Sequence, residues 1–137
     1  NMGFISNIAV GASTLAVAST LKGEKNKATK GLYSSFGVTA LCGVTEPAFY
    51  GALISRPKAL MGTACGAVVG GLIAGILGLR KYVQMGCPGL MTFIMYIDEN
   101  GSMHYVLIAA VVAVATIIVS FICSRIFIMR DGKKATK

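Results

Sequence analysis

The sequence predicts an all-α integral membrane protein that combines transmembrane helices with a re-entrant helical hairpin. Hydrophobic residues make up 55% of the 137 residues and charged residues only 13%, against about 25% charged in an ordinary soluble domain. The mean hydropathy is +0.72. The apolar residues form long runs at 1–21, 31–55, 59–79 and 104–124. Each run is near the ~20 residues that cross a bilayer core as a helix.

The first run predicts a helix over 1–21 that begins at once at the start of the sequence. Three or four helices pack together but rarely enclose a substrate-sized cavity on their own. We therefore expect the chain to be a piece of a larger protein.

The positive charges predict how the second run is placed. If 31–55 crossed the membrane fully, the loops on the two sides would hold 6 and 7 of the 13 Lys and Arg residues. If it enters and leaves on the same side, one side collects 11 and the other 2. Short cytoplasmic loops carry the excess of positive charge. The sequence therefore predicts a hairpin over 31–55 that is entered from the cytoplasm.

The middle of this run, CGVTEPAFYG, predicts where the hairpin turns. Pro47 has no N–H, so the Gly43 carbonyl loses its helical partner, and proline disfavours helical angles at Glu46. Broken helices at membrane depth are tolerated only inside protein or against a water-filled cavity. Transporters bind their substrates at such breaks. We expect the tip to lie near Gly43–Pro47.

Glu46 is the only acidic residue in the four apolar runs. A charged carboxylate near the bilayer centre costs roughly 2.5–3.5 kcal/mol on insertion scales, so its presence predicts a role. A carboxylate accepts hydrogen bonds from two neighbouring hydroxyls at once, which favours a neutral ligand with several hydroxyl groups. A proton, a cation or a permanent ion pair with a Lys or Arg would also satisfy it, and the residues alone leave these alternatives open.

The stretch GVTEPAFYG, Gly43–Gly51, closely resembles the G-[IV]-T-E-P-A-[IFL]-Y-G signature of enzyme IIC, the membrane component of bacterial sugar phosphotransferase systems. The flanking sequences SNIAVGASTLAVA, KGEKNKATKG and GCPGL resemble the same proteins, in the β-glucoside, sucrose and trehalose branch of the glucose superfamily. The similarity reaches to about residue 124, and this chain would be the C-terminal portion. One departure is Val10, where members often carry Gln.

The resemblance implies part of a sugar-translocating permease in the bacterial plasma membrane, with a cytoplasmic C-terminus. It implies that Glu46 binds a glucoside or disaccharide through its hydroxyls and that Thr45, Gly43 and Val44 form the tip beside it. The implied partners are an enzyme IIB domain that phosphorylates the sugar, the remaining enzyme IIC helices, and a second copy in a homodimer of the full-length protein. The phosphoryl-transfer residues belong to other domains, so we expect no catalytic residue here.

The rest of the chain predicts a tightly packed bundle. Gly62, Gly66 and Gly70 recur every four residues in the run 59–79, which lets helices approach closely in lipid. Residues 82–97 are apolar but broken by glycine and proline, so we expect an interfacial segment there. The run 104–124 predicts the last membrane helix, and 125–137 a basic cytoplasmic tail.

Other kinds of site have little support in the sequence. The four cysteines, Cys42, Cys65, Cys87 and Cys123, show no C-x-x-C spacing, so we expect small buried residues rather than metal ligands. No cofactor is expected. No stripe of aromatic and cationic residues indicates nucleic-acid binding.

Three functions remain open on the sequence. The first is a permease segment of a phosphotransferase system. The second is a proton- or cation-coupled sugar carrier that uses Glu46 as a proton site, and the third is a membrane scaffold that does not transport. A scaffold needs no carboxylate beside a helix break, which argues against the third. The choice between the first two rests on the family resemblance.

Overall fold

The computed structural model describes residues 2–79, 89–90 and 103–135, and their regular structure is entirely helical. The helices are α1 (Met2–Thr20), α2 (Lys27–Leu41), α3 (Glu46–Ala48), α4 (Pro57–Ile76) and α5 (His104–Ala135), with a 3₁₀ turn at Glu24–Asn26 and a π-helical turn at Phe49–Leu53. Three of the helices are long and apolar enough to cross a membrane, within Gly3–Thr20, Pro57–Ile76 and His104–Lys133. The predicted all-α membrane fold is confirmed.

Helix α1 is the centre of the bundle. It packs against α2 and against both α4 and α5. As a result, 67% of the apolar stretch of α1 is buried, against 33% of the apolar stretch of α4 and 28% of that of α5. Glycine permits a close approach of α1 and α2, because Gly11 and Gly37 each lie next to the carbonyl oxygen of the other.

Helices α4 and α5 form an antiparallel pair along a row of small residues. Gly62 lies against Ser124, Gly66 against Ser120, and Gly70 against Thr116. The Ser124 hydroxyl also donates a hydrogen bond of 3.2 Å to the carbonyl oxygen of Ala59. The four-residue spacing of the glycines thus aligns them with hydroxyl side chains four residues apart on the partner helix, as small-residue helix pairs in membranes require.

Two apolar clusters lie towards opposite ends of the bundle. The first joins the start of α1, the end of α4 and the start of α5 through Phe4, Ile5, Ile8, Ala74, Leu79, Ala109, Val112 and Ala113. The second consists of Val10, Val17, Ala40, Ala48, Leu53 and Ala59, with Tyr33, Phe36, Leu60 and Ile128 packed against it. The second cluster therefore joins the start of α4 to the late part of α5.

The segment after α2 folds back along that helix. Gly51 lies against the ring of Phe36, and Leu53 belongs to the cluster onto which Tyr33 packs. The second arm of the hairpin, residues 46–55, thus returns to the end of the bundle where α2 begins. The 3₁₀ linker, the start of α4 and the C-terminal part of α5 share that end, which we call the basic end. Its described cations are Lys22, Lys27, Lys30, Arg56, Lys58, Arg125, Arg130 and Lys133.

Helix α5 is longer than the sequence predicted. It continues to Ala135, whereas the prediction ended the helix at 124 and left 125–137 as a tail. Ile128 packs against the second cluster, and the Asp131 carboxylate lies 3.8 Å from the Lys58 ammonium. Because an exposed ion pair contributes only ~0–1 kcal/mol, we attribute the extension mainly to the apolar contact.

The predicted interfacial segment 82–97 lies outside the described residues except for Gly89 and Leu90.

Gly62→Ala is expected to weaken the packing of α4 against α5. A Cβ at residue 62 would lie 2.6 Å from the backbone N and Cα of Ser124, and a backbone cannot rotate out of the way as a side chain can. We expect the free energy of unfolding to fall by about 1–3 kcal/mol. Circular dichroism during SDS titration of the protein in detergent micelles measures this quantity.

The matched control is Gly71→Ala in the same helix, where a new Cβ would meet no atom within 4 Å. This variant should be neutral or slightly stabilising, because alanine has less conformational freedom to lose than glycine. An equal loss in both variants would contradict the proposed contact at Gly62.

Candidate functional site

Helix α2 ends in a Schellman motif at the predicted hairpin tip. The Gly43 N–H donates to the Ala40 carbonyl at 3.0 Å, and the Val44 N–H donates to the Thr39 carbonyl at 3.1 Å. Gly43 adopts a φ of +114°, a backbone conformation that glycine reaches without the clash of a Cβ. Gly43 therefore ends the helix and satisfies carbonyl groups that a helix end would leave without partners.

The chain becomes helical again at Glu46. The Thr45 carbonyl accepts a hydrogen bond of 2.8 Å from the Phe49 N–H, which closes the first turn of α3. Pro47 lies in this first turn, where its missing N–H would have no helical partner in any case. The next turn is π-helical, with the Ile54 N–H donating to the Phe49 carbonyl at 3.0 Å. The reversal is therefore confined to residues 42–45.

Two distant elements hold this break. The side-chain amide of Asn7 in α1 donates a long hydrogen bond of 3.4 Å to the Gly43 carbonyl. Gly89 lies so close to the backbone of Cys42 and Gly43 that a Cβ at residue 89 would overlap it. The sequence indicated that Pro47 deprives the Gly43 carbonyl of its partner, and the structure shows that Asn7 supplies one.

The four residues predicted to bind sugar form the tip of the hairpin. Gly43 is buried, Thr45 is half-buried, and Val44 and Glu46 are exposed. Tyr50, four residues after Glu46, is 69% exposed and contacts the Phe49 ring edge-on at a centroid distance of 5.4 Å. One outer face of the hairpin therefore presents a carboxylate and an aromatic ring that no described element covers.

Glu46 does not lie inside protein in the described part of the chain, because its side chain is exposed there. No Lys or Arg among the described residues forms an ion pair with it, and Lys58 with Asp131 is the ion pair found there. The alternative of a permanent cationic partner thus finds no candidate within these residues. The carboxylate can accept hydrogen bonds from a ligand.

The described residues offer little else for chemistry. Within 2–79, 89–90 and 103–135, no group of three His, Cys, Asp or Glu side chains is placed to hold a metal ion. The Thr45 side chain makes no capping hydrogen bond to α3, which leaves its hydroxyl beside Glu46 available for a ligand. The polar side-chain groups at the tip of the hairpin are therefore the Glu46 carboxylate and the Thr45 hydroxyl.

Curated relatives match most of the chain. The arbutin-, cellobiose- and salicin-specific EIIBC component of the phosphotransferase system of Escherichia coli K12 is 31% identical over 125 residues, 91% of this chain. The sucrose-specific EIIBC component of Staphylococcus xylosus is 35% identical over 102 residues, 74% of this chain. The β-glucoside-specific EIIBCA component of Bacillus subtilis 168 is 30% identical over 112 residues, 82% of this chain.

The chain belongs to the enzyme IIC family of sugar phosphotransferase systems. The family predicted from the Gly43–Gly51 signature is thereby confirmed. This enzyme IIC chain matches only 25%, 21% and 18% of the lengths of these three relatives. No family model matches it, and no solved structure does.

Gly43→Ala is expected to destabilise the hairpin of this enzyme IIC chain. An L-residue in a left-handed conformation costs roughly 1–2 kcal/mol, and the φ of +114° at Gly43 imposes such a strain. The free energy of unfolding, measured by SDS titration with circular dichroism, should fall by about this amount.

Gly31→Ala in α2 is the matched control, because a Cβ there would meet nothing within 4 Å. Alanine in a helix interior is favoured over glycine by roughly 0.5–1 kcal/mol, so this variant should not lose stability. If Gly43→Ala were as stable as Gly31→Ala, the left-handed conformation at the tip would be incorrect.

Proposed function

We propose that this chain forms part of the sugar path of a phosphotransferase-system permease, and that Glu46 accepts hydrogen bonds from the hydroxyl groups of the transported sugar. The observation that carries the proposal is an exposed carboxylate, without an ionic partner among the described residues, directly after a helix break. The names of the relatives support a sugar ligand, since they specify arbutin, cellobiose and salicin, sucrose, and β-glucosides. A glucoside-type sugar is therefore the proposed substrate class.

The Glu46 carboxylate is chemically matched to a neutral ligand that carries several hydroxyl groups. Its two oxygens accept several hydrogen bonds and donate none, and hydroxyl groups on adjacent sugar carbons can donate to both oxygens together. Hydrogen bonds to an ionised group are roughly twice as strong as those between neutral groups. The exposed ring of Tyr50 on the same face would add apolar contact.

The neighbours of Glu46 are proposed to complete the binding tip. The Thr45 hydroxyl, which does not cap α3, would provide a second polar contact with the sugar. Gly43 and Val44 would act through the backbone, because the left-handed conformation at Gly43 sets the direction in which the next three residues leave α2. These assignments place the binding residues on one short reversal between two packed helices.

The wall that encloses the sugar is proposed to come from outside this segment. Glu46 is exposed here, and the chain spans at most a quarter of the relatives' length. We propose that the remaining enzyme IIC helices cover the exposed face of the hairpin, that the full-length protein is a homodimer, and that an enzyme IIB domain phosphorylates the sugar. The cations at the basic end favour its placement on the cytoplasmic side of the bacterial plasma membrane, together with the C-terminus.

Glu46→Gln is the substitution that tests the sugar contact. It keeps the shape of the side chain but removes its charge, and hydrogen bonds to charged groups contribute about 1.5–3 kcal/mol. In the complete enzyme IIC that carries this segment, salicin binding measured by calorimetry should weaken at least ~10-fold. Glu24→Gln, which removes an exposed carboxylate in the linker, is the matched control and should bind as the unchanged protein does.

Unchanged salicin binding in Glu46→Gln would refute the assignment of Glu46. The coupling is tested separately by the chemical form of the sugar after uptake into vesicles. A phosphorylated product that depends on phosphoenolpyruvate supports the phosphotransferase route, whereas free sugar accumulated with a proton gradient would favour a coupled carrier.

A further inference from the structure

A cleft of about 510 Å³ lies at the basic end, between the hairpin and the late part of α5. We call it the basic-end cleft. Its lining includes Tyr33 from α2, Ser55 and Arg56 after the hairpin, Lys58 from α4, and Ile128 and Asp131 from α5. Volumes of this size are typical of sites for small molecules. Neither the sugar contact nor the packing of the bundle accounts for this cleft.

The charges of the cleft favour an anion. Lys58 is 3.8 Å from Asp131, so this cation and this carboxylate largely offset one another. Arg56 is half-buried and forms no ion pair within the described residues. Its guanidinium carries a planar set of donors that matches the oxygens of a phosphate group. The Tyr33 side chain adds a hydroxyl group to the same lining, whereas the Ser55 hydroxyl already donates to the Ala52 carbonyl at 3.1 Å.

The position of the cleft favours a lipid as the source of that phosphate. The apolar span of α4 begins at Pro57, which also lines the cleft, so the cleft lies at the level where the membrane helix starts. Its lining combines the apolar residue Ile128 with the cation Arg56, which suits a molecule that is polar at one end and apolar at the other. Basic pockets between membrane helices on the cytoplasmic side bind anionic headgroups.

We propose that the basic-end cleft binds a phosphate ester, namely the headgroup of an anionic phospholipid, with Arg56 as the principal ligand of the phosphate. The proposal is independent of the sugar contact at Glu46, because the cleft lies at the end of the hairpin arms and Glu46 lies at the tip. Asp131 opposes binding, since it is the carboxylate among the described lining residues.

The test uses the complete enzyme IIC that carries this segment, purified in detergent, with lipid binding measured by native mass spectrometry. Phosphatidylglycerol should bind at least ~5-fold more tightly than phosphatidylcholine, which is the effect of about one cation near an anionic headgroup. Arg56→Gln should abolish most of this preference and leave phosphatidylcholine binding unchanged. Equal binding of the two lipids by the unchanged protein would overturn the proposal.

Two further variants separate a discrete site from general attraction to the basic end. Lys22→Gln removes an exposed cation that does not line the cleft, and it should change the preference much less than Arg56→Gln. Asp131→Asn should raise the affinity for phosphatidylglycerol by about 5-fold, a gain that misfolding cannot produce. An equal loss in Lys22→Gln and Arg56→Gln, or no gain in Asp131→Asn, would overturn the site.

The source of the phosphate is tested by competition with a water-soluble phosphate ester. Millimolar glucose 6-phosphate should not displace bound phosphatidylglycerol from the unchanged protein if the lipid is the ligand. Displacement by glucose 6-phosphate, without displacement by glucose, would overturn the lipid assignment and assign the cleft to a soluble phosphate ester.

Discussion

The reversal of the chain at Gly43 is the feature on which the remaining structure depends. Two backbone hydrogen bonds, from Gly43 to Ala40 and from Val44 to Thr39, close the end of α2. They satisfy carbonyl groups that would be expensive to bury without partners. Because the reversal is completed within four residues, Glu46 follows at the tip, and the second arm returns along α2 towards the basic end.

The reversal is stable because the hairpin lies against α1. Gly11 and Gly37 let the two backbones approach closely, and Asn7 reaches from α1 to the Gly43 carbonyl. One face of the hairpin is therefore packed against the centre of the bundle, and the opposite face carries Glu46 and Tyr50 without cover from the described residues. The hairpin therefore holds the Glu46 carboxylate on a packed support, with an uncovered face beside it.

Local sequence signals predicted the features that depend on neighbouring residues. The apolar runs predicted the membrane helices, Pro47 indicated the carbonyl without a partner, and the GVTEPAFYG stretch identified the family. Contacts between distant parts of the chain were not predicted. Asn7 and Gly43 are 36 residues apart, and no local sequence pattern links the two residues. The length of α5 was underestimated for the same reason, because Ile128 is held by residues of other helices. The exposure of Glu46 could not be read from the sequence either, since it depends on which elements lie beside the hairpin.

Cysteine accessibility tests the central claim, that the segment between α1 and α4 enters and leaves at the same end of the bundle. Lys27 and Lys58 lie at the two ends of this segment, and Met103 lies at the opposite end of the bundle. Each is replaced by cysteine, singly, in a variant that lacks the four native cysteines. With a membrane-impermeant maleimide, we expect the cysteines at positions 27 and 58 to be labelled from the cytoplasmic side and the cysteine at position 103 from the other side. Labelling of positions 27 and 58 from opposite sides would show that the segment spans the membrane and that it does not fold back to one end of the bundle.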